Sequence, residues 1–113
     1  MIEIEGIEEV LRELKKNADP EKLYQQMGKA CAVVERAAKQ KAPKGVGDLQ
    51  RSIQFRVEVN GDEIVGVVFT PLEYAPYVEY GTYKMAARPF LRPAYNKNVN
   101  KLTQELKRIL GGK

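Results

Sequence analysis

From Leu23 onward the apolar residues return every three or four positions, with Leu23, Met27, Ala30, Val34 and Ala37 or Ala38 on one face and Tyr24 and Cys31 beside it. That period predicts an amphipathic helix of about six turns. Asp19 can cap its free amides, and Pro20 at the first helical position has no N–H to leave unsatisfied. Ala42-Pro43 ends it, because a residue before proline is pushed out of helical geometry. Small residues at Ala30, Ala32, Ala37 and Ala38 let this helix lie close against a sheet, and Cys31 reads as a small buried hydrophobe. Upstream, Ile7, Val10, Leu11 and Leu14 fall at i, i+3, i+4 and i+7, with Glu8, Glu9, Arg12, Glu13 and Lys15 on the other side. That spacing predicts a shorter amphipathic helix over residues 7–16.

After the loop Lys44-Gly45-Val46-Gly47-Asp48 the period changes from 3.6 to 2. Ile53, Phe55, Val57 and Val59 alternate with Ser52, Gln54, Arg56 and Glu58, as in a strand with one wet and one dry face. Asn60-Gly61-Asp62 suits a hairpin turn, since Asn and Gly accept positive φ. The return strand, residues 63–70, carries Ile64, Val65, Val67, Val68 and Phe69 without alternation. It is therefore expected to be covered on both faces, by the helix on one side and by another chain or segment on the other. Tyr74, Tyr77, Tyr80 and Tyr83 recur every three residues, which suits a short helical turn or a loop packed on one side. Pro89 and Pro93 then frame the start of a last helix, with Ala94, Val99, Leu102, Leu106, Ile109 and Leu110 as its apolar stripe and Gly111-Gly112 as its end. The sum is one α+β domain spanning residues 1–113. A small antiparallel sheet packs against a long helix, with short N-terminal and C-terminal helices.

At 113 residues the chain can bury a core without metals or disulfides. It has no His and one Cys, which removes imidazole-based catalysis, most zinc sites and any internal disulfide. No catalytic residue, metal or cofactor is expected. No apolar run approaches the length of a membrane span, and the acidic opening Met1-Ile2-Glu3-Ile4-Glu5 is unlike a secretory signal, so an intracellular protein is expected. The net charge of +4 is unevenly spread. Residues 1–42 are neutral and residues 43–83 carry −3, while residues 84–113 hold eight Lys and Arg against Glu105 alone, net +7. A concentrated positive element suits either an acidic protein surface or nucleic acid.

Gly45 and Gly47 lie between helix and strand, the wrong order for a phosphate loop. Glu73 and Glu79 read as surface or interface ion-pair partners rather than as an acid/base pair. Arg88 and Arg92 flank Pro89-Phe90-Leu91, a stiff segment offering two guanidiniums and an aromatic anchor to carboxylates on a neighbour. Tyrosines beside basic residues would also serve a nucleic-acid-binding module that uses the C-terminal helix.

Ala42-Pro43 followed by Gly47, Leu49, Ser52 and Ile53, then Tyr74-Ala75-x-Tyr77-Val78-Glu79-x-Gly81-Thr82, then Arg88-Pro89-Phe90-Leu91-Arg92-Pro93-Ala94, resembles the small tail-component family of long-tailed bacteriophages and prophages. Val46 stands where that family usually has Thr. The resemblance implies a structural virion protein at the neck, present in the host cytoplasm during assembly, that joins head to tail or completes the tail as a ring. Its partners would be further copies of itself, head-connector and tail-tube proteins, and, without sequence reading, DNA in the channel. The expected contact residues are Tyr74, Tyr77, Glu79, Tyr80, Gly81, Thr82, Arg88, Pro89, Phe90, Leu91 and Arg92, with Glu79 as acceptor for Arg88 or Arg92. A central −3 and a terminal +7 would then meet head to tail.

Overall fold

The computed structural model describes residues 7–14, 20–45, 48–61 and 63–109. Their order is β1 (Ile7–Leu14), α1 (Pro20–Lys41), α2 (Leu49–Ser52), β2 (Gln54–Asn60), β3 (Glu63–Thr70), α3 (Ala75–Tyr80) and α4 (Leu91–Ile109). The strands form one antiparallel sheet in the order β1-β3-β2. The α+β class and the sheet packed on a long helix are as the periodicities predict. The expected contacts at Asp19, Val46 and Gly47, the turn residue Asp62, and the apolar and glycine positions 110–112 lie outside the described residues.

Helix α1 buries the face read from its spacing: Leu23, Met27, Cys31, Val34 and Ala38 are fully covered. It packs on β3, β2 and α4, and one core joins it to Ile64 and Val68 of β3 and to Phe90, Leu91, Ala94 and Leu102 at and within α4. Gly66 makes the close approach possible. A Cβ there would fall inside van der Waals range of Cys31 Sγ and lie 2.9 Å from Met27 Sδ. Burial, and secondarily Glu35, push the Cys31 thiol from 9.0 up to about 12. Native Cys31 should therefore resist a thiol-alkylating reagent at pH 8 and react once the chain unfolds, because the reactive thiolate is disfavoured in the fold. Its linkage contribution is fully present below about pH 9 and is lost as the pH rises toward 12, since the folded state holds the proton more tightly over that interval.

Three elements differ from expectation. Residues 49–52 form the short helix α2 and β2 begins at Gln54, where the alternation predicts strand from Ser52. Residues 7–14 form a strand, paired along their whole length with β3 from Ile7↔Thr70 to Leu14↔Glu63, instead of a helix. The reason lies in β3, whose residues from Ile64 to Val68 are buried. A buried strand must satisfy its backbone donors and acceptors along both edges; β2 supplies one edge, from Gln54↔Phe69 to Asn60↔Glu63, and the helical spacing of 7, 10, 11 and 14 yields to the need for the other. The C-terminal helix is also long, 19 residues, because Pro93 falls within its first turn, where a missing N–H does no harm.

The expectation that another chain or segment would cover the second face of β3 is met within the molecule. Register puts Val65 and Val67 on the face shared with Glu58 and Arg56. Arg56 pairs with Glu58, and its guanidinium lies 4.8 Å from the Phe69 ring centroid, so β2's own side chains lie along that face. Val65 and Val67 are 4% and 3% exposed; their apolar run does not in itself call for a partner molecule.

Candidate functional site

The eleven residues singled out above sit on α3, the segment 81–90 and the start of α4. Helix α3 opens at Tyr74 with proline in its first turn and ends at Gly81, whose φ of 80° is costly for any residue with a Cβ. A Cβ there would also stand 2.7 Å from the Ala87 backbone nitrogen. The helix turns Ala75, Val78 and Glu79 inward and leaves Tyr77 and Tyr80 outside.

Glu79 is 3% exposed. Its Oε1 accepts hydrogen bonds from the backbone N–H groups of Phe90 (3.0 Å) and Leu91 (2.9 Å), and its Oε2 accepts one from Arg92 (3.0 Å). A helix start leaves four amides without intrahelical partners. At α4 those positions are residues 90–93: Glu79 takes three, and Pro93 has no N–H to satisfy. The carboxylate also meets the positive end of the helix dipole. This corrects the expectation that Glu79 would accept Arg88 or Arg92 at an interface. A carboxylate buried against three amides makes stronger charge-assisted bonds than it could with guanidiniums whose residues lie at the surface.

Phe90 and Leu91 are likewise internal, 0% and 1% exposed, and anchor the start of α4 in the core. Tyr74 is half-buried; its hydroxyl accepts the Asp48 backbone N–H at 3.2 Å. The segment between Gly81 and Phe90 is tied down by its backbone. Thr82 N–H donates to Met85 O (2.8 Å), Met85 N–H returns to Thr82 O (3.2 Å), and Arg88 N–H donates to Val78 O (2.8 Å). At the tip of that turn Tyr83 is 93% exposed, with Met85, Tyr77 and Tyr80 also outside and Lys84 Nζ 5.5 Å from the Tyr83 ring centroid. Thr82, Arg88, Pro89 and Arg92 complete the exposed set. The structure thus sorts the candidates into an inner frame (Glu79, Phe90, Leu91, with Gly81 as its hinge point) and an outer aromatic and basic surface.

The acidic half of the expected charge complementarity is largely engaged inside the chain. Asp48 pairs with Arg51 and Glu58 with Arg56, Glu79 is the cap, and Glu63 is not free. Sequence reasoning missed two features. Met85 joins the exposed surface, and nothing in a single Met announces that. Lys97, Lys101 and Arg108 align on the exposed side of α4, which helical spacing applied to the polar residues would have revealed. Among the described residues no group of His, Cys, Asp and Glu could hold a metal, and no helix is long and apolar enough to cross a membrane.

Comparison with known proteins gives one match. A family profile described as "Bacteriophage HK97-gp10, putative tail-component" covers residues 5–81. It includes the sheet, α1 and the whole of α3, and it ends at the Gly81 turn. No curated protein and no solved structure matches the chain.

Proposed function

Because the chain belongs to this family of bacteriophage tail components, we propose that it acts in head–tail joining or tail completion, as a ring of identical subunits at the neck that contacts head-connector and tail-tube proteins. The family supports a non-catalytic role in the virion tail. The observation that carries the finer reading is the exposed surface of Tyr77, Tyr80, Tyr83, Met85 and Arg88. Its backbone is ordered from behind by the Gly81 turn and the Glu79 cap, so little conformational entropy is lost on docking. Tyr and Arg are the residue types that dominate interface energetics, and large exposed aromatics grouped on one rigid segment mark an interaction surface. The −3 and +7 segments contribute less than their sums suggest, because Asp48, Glu58 and Glu79 are engaged within the chain.

Sedimentation velocity of the full chain, alone and with head-connector or tail-tube protein, tests this. Tyr83→Ala should weaken assembly by about 2 kcal/mol, roughly thirtyfold, if the ring is buried at the contact. Arg88→Ala should cost a few kcal/mol if its partner is buried and less than about 1 kcal/mol on the rim. Both variants should melt like the parent, because both side chains are exposed in the isolated chain. Unchanged association in both would remove the assignment of this surface.

A further inference from the structure

Lys97, Lys101, Gln104 and Arg108 are all exposed on α4. At 3.6 residues per turn and 1.5 Å per residue they occupy a sector about 60° wide and roughly 16 Å long. Ala94 and Leu102, both buried in the core, lie about 20° and about 100° beyond Lys101 around the helix, so the basic stripe runs along the exposed flank of α4 beside its buried face. Among the described residues, none of the three cations takes part in an ion pair. Glu105 is the one acid of residues 84–113 and lies half-buried at the edge of the sector.

Two kinds of polyanion could face such a stripe, an acidic protein surface or a phosphate backbone. A second copy of this chain is poorly suited to the first role, since Asp48, Glu58 and Glu79 of its acidic segment are already engaged, Glu63 is not free, and Glu73, exposed on its own, offers one charge where the stripe presents three. A DNA duplex instead presents one charge per about 1.7 Å of axis, continuous over any length the stripe can span. We propose that this face of α4 lies along the phosphate backbone of duplex DNA, neutralising about three phosphates per subunit without reading sequence. Cations spaced along one flank of a helix suit contacts to successive phosphates, which position a protein on the duplex without carrying sequence information. The inference deepens the neck reading, in which a ring surrounds the passage of DNA, but its measurement stands apart from ring formation.

The test is fluorescence anisotropy of the full chain with a labelled 30-base-pair duplex of arbitrary sequence. Three phosphate contacts imply a log–log salt slope of about −2.7, so affinity should fall roughly fortyfold between about 50 and about 200 mM salt. The triple variant Lys97→Gln, Lys101→Gln, Arg108→Gln should bind at least about tenfold more weakly at the lower salt, lose most of the slope, and keep the parent's melting temperature. A triple variant with parental affinity and slope overturns the proposal. So does a parent chain that ignores duplex yet binds polyglutamate in a salt-sensitive way, the result expected of a stripe made for acidic protein. Duplex binding by a chain that never assembles supports the proposal and removes the ring reading; rings indifferent to duplex do the reverse.

Discussion

Glu79→Ala is expected to lower the unfolding free energy by about 3–5 kcal/mol, the largest loss available from a single polar side chain in this fold. Three backbone amides lose a charged acceptor at once. Those of Phe90 and Leu91 lie in buried surroundings and that of Arg92 is partly buried. A net hydrogen bond to a charged group contributes about 1.5–3 kcal/mol, and an abandoned buried donor costs about 1–3 kcal/mol. Their simple sum exceeds the estimate because the first turn of α4 can fray and let water reach the amides. Glu79→Gln keeps a carbonyl acceptor but loses the charge and points a donor at other donors, so about 2 kcal/mol is expected. For a domain of this size, the alanine variant should melt at least about 12 °C below the parent. Circular dichroism during thermal and urea unfolding measures this. A Glu79→Ala chain that melts with the parent, yet assembles poorly, would show that the carboxylate serves a neighbour instead of α4. The inner frame also explains an indirect effect on function. With the cap gone, the segment carrying Tyr83 and Arg88 loses its fixed end, and assembly should weaken even though Glu79 itself is turned inward.

Gly66→Ala should destabilise by about 2–3 kcal/mol, and Gly66→Val by more, through overpacking between the sheet and α1. The added Cβ meets Cys31 Sγ and Met27 Sδ, and Cys31 is fully buried, so its sulfur has no solvent to retreat into. Met27 is the softer of the two obstacles, because a long thioether side chain can change rotamer. Cys31→Ala in the Gly66→Ala background should therefore restore part of the loss, with a coupling of about 1 kcal/mol or more in a double-mutant cycle. Strict additivity would show that α1 and β3 do not meet at this pair.

Where one element determines its own environment, its residues could be read directly. Helix α1 spans 22 residues with a single apolar face, so period, length and the proline after it agree, and no alternative partner competes. The β2–β3 hairpin was equally plain: strict alternation in one strand, an apolar run in the next, and Asn60-Gly61 between them, with Gly61 at φ 59°. The tyrosine spacing of three matched a six-residue helix with Tyr77 and Tyr80 outside. The N-terminal segment resisted such reading. Its apolar spacing at 7, 10, 11 and 14 is sound helical evidence, but it is outweighed by the unpaired edge that β3 would otherwise bury, a demand located 49 to 63 residues away.

The candidate surface divides along the same line. That Tyr77, Tyr80, Tyr83 and Arg88 belong to one aromatic and basic segment follows from their order along the chain. Which members of that segment are available to a partner does not, because Glu79, Phe90 and Leu91 look as suitable on paper as their neighbours. Local periodicity established the long helix, the hairpin and the basic charge of the last quarter, since each depends on residues within a few turns or one strand length of one another. Long-range backbone hydrogen bonding settled the rest. It drew residues 7–14 into the sheet and turned an apparent interface glutamate into the cap of α4.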